Sequence, residues 1–369
     1  MGFISNSRAT FNCTLSTFTQ IGNDLEALSA DTPSPVVSVG DDDSLRSALA
    51  AGGSVSLADN ITVTSQVNVT ETTTLSLNGF TLSNPDPSVY GAILCVQSGA
   101  TLTIDGEGTI DGGADDDAPG SNRNALRVDG GTAIINGGTF TVDNGLNSTV
   151  YVMSGEVVVN GGTFMSKTAA ASSTQGHWLL NCLDSSYKDG TAKISVRGGS
   201  FYDFNPADNK SEGASTNFVD PSYVVTSAES GLSTVYSVAP EVLSTYELTS
   251  DAPSEITVGS PVTVNVTLSP STVGNTGYSK CQFQFDSVRP EGGDITFKAT
   301  DSLDQEFSFT NSGTWGPPEG FPVSPDYTAT TAWEVSVSTP GDYSVQCKLV
   351  DLTSGTVICE SNIYVTGVE

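Results

Sequence analysis

Ile135-Asn-Gly-Gly-Thr-Phe140, Val159-Asn-Gly-Gly-Thr-Phe164 and Val196-Arg-Gly-Gly-Ser-Phe201 decide the fold. Each joins an apolar residue, a polar residue, a glycine turn and a hydroxyl residue to a second apolar side chain. Leu77-Asn-Gly-Phe-Thr-Leu82 and Ile104-Asp-Gly-Glu-Gly-Thr-Ile110 follow the same plan, and the closing apolar positions lie 28, 30, 24 and 37 residues apart. A constant core unit with loops of varying length between copies describes a β-solenoid, whose coils stack one on the next. Asn or Asp beside Gly supplies a positive-φ corner, and the flanking Ile, Val, Leu and Phe point inward onto their counterparts. Asn-Gly-Gly also makes ordinary hairpins; five matching units weigh for the coil.

Upstream, Asp41 to Gly53 reads as a short capped helix, with acidic residues first, Leu45, Ala48 and Leu49 on one face, and a double glycine last. Short period-two strands follow from Ser54 onward. Residues 1–35 form a separate segment ending in the linker Asp31-Thr-Pro-Ser-Pro35. Its apolar residues, among them Phe3, Phe11, Phe18 and Leu25, are too few to bury one another and need something else to pack on. Beyond Pro240 the repeat stops and longer alternating strands run to residue 369, the pattern of an antiparallel sandwich. The expected organisation is all-β: an N-terminal attachment segment over 1–35, a β-helix over 36–240 and a sandwich over 241–369.

The 369 residues carry 13 Lys and Arg against 42 Asp and Glu, a formal net charge of −29. So acidic a surface repels phosphate, which excludes nucleic acid and anionic membranes as partners. No stretch approaches a membrane span, and the opening residues lack the basic and apolar regions of an export signal. Six cysteines are scattered at 13, 95, 182, 281, 347 and 359 without a zinc-type pair. A hairpin around Thr353 and Ser354 is expected to set Cys347 opposite Cys359, either as two small core residues or, in an oxidising compartment, as a disulfide.

The run from Asp43 to Leu82 resembles the opening coils of right-handed parallel β-helix proteins of the pectin-lyase-like superfamily. Ile194 to Val219, with Ser222 to Val225 and Val235 to Val238, resembles the terminal coil of β-helix proteins of tailed-phage virions and bacterial surfaces. Pro340-Gly-Asp-Tyr-Ser-Val-Gln-Cys347 is similar to the corner before a late strand of immunoglobulin-like modules. It differs from antibody domains in that Tyr343 stands four residues before the cysteine, so no disulfide is carried over.

Chemistry is sparse. His177 stands alone without a nearby nucleophile, and a loop hydrogen bond is its expected role. Asp105, Glu107, Asp111 and the run Asp115, Asp116 and Asp117, followed by Arg123 and Arg127, are the residues from which a carboxylate pair or a Ca²⁺ site would have to come. The triple aspartate sits in a Gly-Ala-Pro-Ser stretch that reads as a solvated loop, and the superfamily's lyase and polygalacturonase motifs are missing. Trp178 and Trp315 suit sugar stacking or core packing equally. No catalytic residue, metal or cofactor is expected; Asp115, Asp116, Asp117, Trp178 and Trp315 are the binding candidates.

The resemblance implies a structural protein of a tailed-phage virion, a head or tail fibre or capsid decoration protein. It would assemble in the host cytoplasm, attach to other virion proteins through residues 1–35, and display β-modules toward host-surface carbohydrate. Self-association as a homotrimer is expected. A bacterial surface adhesin would need an export signal, and a polysaccharide-degrading tailspike a paired-carboxylate groove.

Overall fold

The computed structural model describes residues 35–86, 88, 91–113, 123–142, 148–166, 178–300 and 306–369. Nearly all regular structure among them is β. The described residues divide into two compact units, one comprising those up to Phe218 with residues 230–235, the other those of 219–229 with 236–369.

In the first unit the strands pair in parallel, coil upon coil, on three sides. On one side Val55, Leu75, Ile104, Ile135, Val159 and Val196 are direct partners in succession. On the next, Ile61, Leu82, Ile110, Phe140, Phe164 and Phe201 form an equally unbroken column. Both columns are buried, and within the second the rings of Phe140, Phe164 and Phe201 stack at 5.2 and 4.8 Å. The third side carries Val67, Leu94, Leu126, Val150 and Leu180 inward, again in register.

The Asn-Gly-Gly motif separates into distinct duties at the corner. Asn160 Nδ2 donates to Asn136 Oδ1 at 2.9 Å, and Asn136 Nδ2 to Asp105 Oδ1 at 2.7 Å, a side-chain ladder climbing the coils. The first glycine allows the coils to approach: a Cβ on Gly161 would lie 2.5 Å from the Asn136 carbonyl oxygen, and one on Gly198 2.1 Å from that of Asn160. The second glycine, at 138, 162 and 199, takes φ of 87°, 97° and 100°, the left-handed turn closed to most side chains.

Both ends of the stack are closed. At the start, the helix Asp42–Ala51 buries Leu45, Ala48 and Leu49. Its N-cap is a reciprocal pair in which Ser44 N–H donates to Asp41 Oδ1 at 2.8 Å and Asp41 N–H to Ser44 Oγ at 3.2 Å. Asp42 and Arg46 fasten it to the coil: Asp42 accepts from the Thr64 amide and hydroxyl, and Arg46 donates to the Ser65 and Gln66 carbonyls. At the far end, the segment after Tyr202 folds around buried Asn209, whose side chain donates to the Pro206 and Thr216 carbonyls and accepts from the Ser211 amide and hydroxyl. Phe204 and Phe218 are buried within it.

Two sequence expectations need correction here. Leu75, not Leu77, stands in the column beside Ile104; Leu77 is buried at the corner, its N–H donating to the Asp105 carbonyl. The strands after Tyr202 do not continue as one parallel coil after another to Pro240. Tyr223–Ser230 and Ser233–Pro240 are neighbours joined by Gly231 and Leu232, with φ of 67° at the glycine, and so form a hairpin. The two-residue turn is too short for a further coil, since parallel neighbours need a long crossover.

The second unit has two sheets. One orders Thr245–Ser250, Val262–Thr272, Ala329–Val337, Ile295–Thr300 and Glu306–Thr310, all antiparallel. The other orders Glu255–Thr257, Val357–Val368, Gly341–Asp351, Tyr278–Val288 and Ser312–Trp315, with Phe321–Val323 also on Tyr278–Val288. Alternate residues of both sheets make one core around Trp333, whose ring lies 5.3 Å from Phe285 and 5.6 Å from Phe309. Buried Tyr343 turns its hydroxyl back to donate to the Thr339 carbonyl at 3.0 Å, tying down the corner before its strand.

Cys347 and Cys359 are not opposite each other: Cys347 faces Ser361 and Cys359 faces Leu349. A register shift of one residue separates Leu349, which faces Cys359, from Val350, which faces Val357, beside the turn where Asp351 collects the Thr353 and Ser354 amides. Both thiols are free.

Candidate functional site

The residues singled out by sequence do not converge. Asp115, Asp116, Asp117 and His177 lie outside the described residues, as do residues 1–34 of the attachment segment. Asp105 and Asp111 close strands on different sides of the coil. Asp105 accepts from Asn136, and Asp111 accepts the Gly113 amide at 3.0 Å. Arg123 is buried and donates to the Asn84 and Asp86 carbonyls, so it clamps the loop of the preceding coil. Trp178 is half-buried before the strand Leu180–Cys182. Trp315 packs against Phe283 at 5.3 Å and Phe321 at 5.9 Å, part of the aromatic core instead of a free stacking platform.

The side chains that do converge lie on the outer face of the third side. Strand alternation turns Asn68, Cys95, Arg127, Tyr151 and Asn181 outward, and the parallel register sets them in a single row across successive coils. Gln66 Nε2 donates to Asn68 Oδ1 at 2.8 Å, and Arg127 is held by Asp129 at 3.1 Å. Of these the sequence marks Arg127 as a candidate and Cys95 as one of six scattered cysteines. The row is invisible to a motif search because its members are 24 to 32 residues apart, separated by loops of unequal length.

Glu212, from the closing segment, reaches this row. Its Oε1 accepts the Cys182 N–H at 2.5 Å. Cys182 ends the outermost strand on this side, and its amide points away from Val150–Val159, where the next coil would supply a carbonyl. The carboxylate therefore completes the edge of the sheet. Burial pushes the Glu212 pKa up, opposed by the Cys182 amide and reinforced by Asp184. Burial likewise raises Tyr151, with Arg127 opposing. Asp184 is the carboxylate whose charge acts on Glu212. However, one Glu212 oxygen is taken by the backbone and the other is buried without a partner, so neither is presented to a substrate.

The thiols are equally withdrawn. Burial pushes Cys95 up to about 11, Cys281 and Cys347 up to about 12 and Cys359 up to about 11; they stay protonated at neutral pH and are poor nucleophiles. Among the described residues no group of three His, Cys, Asp or Glu could hold a metal ion.

No protein-family model and no curated protein matches the chain. Solved structures give fold-level likenesses only. AvmM, which catalyses macrocyclization in alchivemycin A biosynthesis, aligns with 33% of this chain and 89% of its own at 11% identity and a TM-score of 0.24. PapD-like domain 7 of human CEP192 aligns with 33% of this chain and 85% of its own at 14% identity and a TM-score of 0.19. The enzymatically active domain of bacteriophage CBA120 tailspike protein 4 aligns with 85% of this chain but 45% of its own, at 10% identity and a TM-score of 0.24. At these scores the likenesses fix neither a family nor an activity.

Proposed function

We propose that this chain is a non-catalytic structural protein of a tailed-phage particle, in which a right-handed parallel β-helix and an immunoglobulin-like sandwich are displayed for attachment to host-surface carbohydrate. The observation that carries the non-catalytic part is the commitment of the coil's carboxylates to architecture. Asp105 supports the asparagine ladder, Asp129 holds Arg127, and Glu212 caps the last strand. Catalysis by two carboxylates requires both to face one bond at a set separation, and these face backbone and neighbouring side chains instead. The particle assignment draws on the resemblance of the 194–238 segment to virion terminal coils. A negatively charged, turn-rich surface over rigid stacked coils suits display in solvent. In this reading residues 1–35 are the anchor and the chain self-associates as a trimer.

Mass spectrometry of purified particles tests the placement: the protein is expected in stoichiometric copy number, and a variant lacking residues 1–35 is expected to fold but stay out of particles. Its absence from particles, or normal entry of the truncated chain, would overturn the assignment. Release of oligosaccharides from host polysaccharide by the purified protein would establish an enzyme in its place.

A further inference from the structure

The segment after Tyr202 closes the coil with a tip that is braced from within. Asn209 and Thr216 exchange backbone hydrogen bonds in both directions at 3.0 Å. Glu212 N–H donates to Thr216 Oγ1 at 3.2 Å, and Thr216 Oγ1 donates to the Gly213 carbonyl at 2.9 Å. The base of the segment is set on the coil by buried Phe204 and Phe218; Phe218 meets Tyr187 edge-on at 6.2 Å, and its carbonyl accepts the Val196 N–H at 2.8 Å. Glu212 Oε1, on the Cys182 amide, ties the tip to the coil. A tip with its own internal bonds can lift about its base without breaking them.

Docked Glu212 is poorly provided for as an anion. Its Oε2 is buried without a partner among the described residues, and a buried charge that lacks hydrogen bonds is costly. Facing it are Tyr151 on Val150–Val159, Cys182 on Leu180–Cys182, and Asp184, Tyr187 and Lys188 on the helix Asp184–Asp189. Burial pushes the Tyr151, Cys182 and Tyr187 groups up, so they stay neutral at physiological pH. Asp184 repels a second negative charge, while Lys188 attracts it. Burial, with Asp184, outweighs the Cys182 amide, Ser211 and Lys188, so the docked carboxyl keeps its proton above the ordinary 4.5. With the tip lifted into water, the group returns to that ordinary value.

We propose that Glu212 is a proton-operated latch on the end of the coil: protonated, it seals the tip against Leu180–Cys182, and ionised, it loosens the tip and bares the Cys182 amide. The docked state binds the proton more tightly than the lifted one. Docking is therefore strongest below about 4.5 and weakens as pH rises through the docked value. The bared amide is an unpaired sheet edge, the kind of backbone that accepts another strand. Acid keeps that edge covered, and neutral pH makes it available. The latch goes beyond the attachment reading and does not depend on it.

The test is hydrogen exchange of the full chain, read by mass spectrometry from about pH 4 to 8 and corrected for the intrinsic pH dependence of exchange. Protection of the Cys182 amide and of the 209–216 amides is expected to fall about threefold or more across that range, with the rungs at Phe140 and Phe164 unchanged. Glu212→Gln keeps an acceptor for Cys182 and cannot ionise, so its profile should stay flat within about twofold. Asp184→Asn removes a repelling charge and should move the midpoint to lower pH. A flat profile in the native chain, an undiminished pH dependence in Glu212→Gln, or a loss of protection shared equally by the Phe140 and Phe164 rungs would overturn the latch. Should Glu212→Gln fail to fold, Asp184→Asn decides: a midpoint that does not move overturns it.

Discussion

Gly161 and Gly198 sit where the backbone of one coil presses on the carbonyl of the coil before, and neither has a positive φ. Their role is close approach alone. Gly161→Ala should therefore cost about 2–3 kcal/mol by forcing the rungs apart. Gly79→Ala, at φ 83° with open space around its Cβ, should cost about 1–2 kcal/mol from backbone strain alone. Urea unfolding of the two variants measures the difference. Glu212 gives a pH signature. Its folded pKa lies above the ordinary value of 4.5, so the protonated form favours folding. That contribution is complete below about 4.5 and is lost as pH rises through the folded value. Glu212→Gln keeps the acceptor for Cys182 and cannot ionise. The stability of the native protein relative to this variant should rise as pH falls from 7 to 4, and a pH-independent difference in denaturation midpoint would contradict the assignment.

Whole elements depend on columns of side chains more than on single strands. Phe164 lies between Phe140 and Phe201 in the ring stack, fully buried. Phe164→Ala should cost about 3–5 kcal/mol, while Phe164→Leu should cost less because it refills most of the volume. Calorimetric unfolding distinguishes them. In the second unit, Tyr343→Phe removes the hydroxyl that bonds Thr339 and leaves the ring in the core. About 1–2 kcal/mol should be lost in chemical denaturation. The recurring Asn-Gly-Gly unit made the glycine corner and the closing apolar column legible, because each motif contains its own corner and its own inward residue; the asparagine ladder follows only from the stacking of the coils. The polar row from Asn68 to Asn181 was not legible: its members are brought together by coil register, which depends on loop lengths no local pattern encodes.

At the scale of the molecule, 42 acidic against 13 basic residues make self-repulsion a standing cost of the folded state. Raising NaCl from 20 to 500 mM should raise the midpoint of thermal unfolding by about 2–4 °C through screening. A fall would mean that attractive ion pairs dominate instead. Among the described residues, the ion pairs Asp42–Arg46, Arg127–Asp129, Glu156–Lys193 and Arg289–Asp294 are partly exposed and each too weak to reverse that balance.

By itself the sequence determined the all-β character, the repeated coil with its glycine corners, the capped helix at its start and the change to longer alternating strands after Pro240. Each follows from periodicity and backbone preference over a few neighbouring residues. Tertiary structure alone decided that Tyr223–Ser230 and Ser233–Pro240 pair with each other and do not each open a coil. It decided the offset of Cys347 from Cys359, which the register of the two hairpin strands sets. It also decided that Trp315 belongs to the core and that Glu212 finishes a sheet edge. These are contacts between residues 30 and 32 positions apart, and their geometry is set by the packing of sheets, not by the local chain.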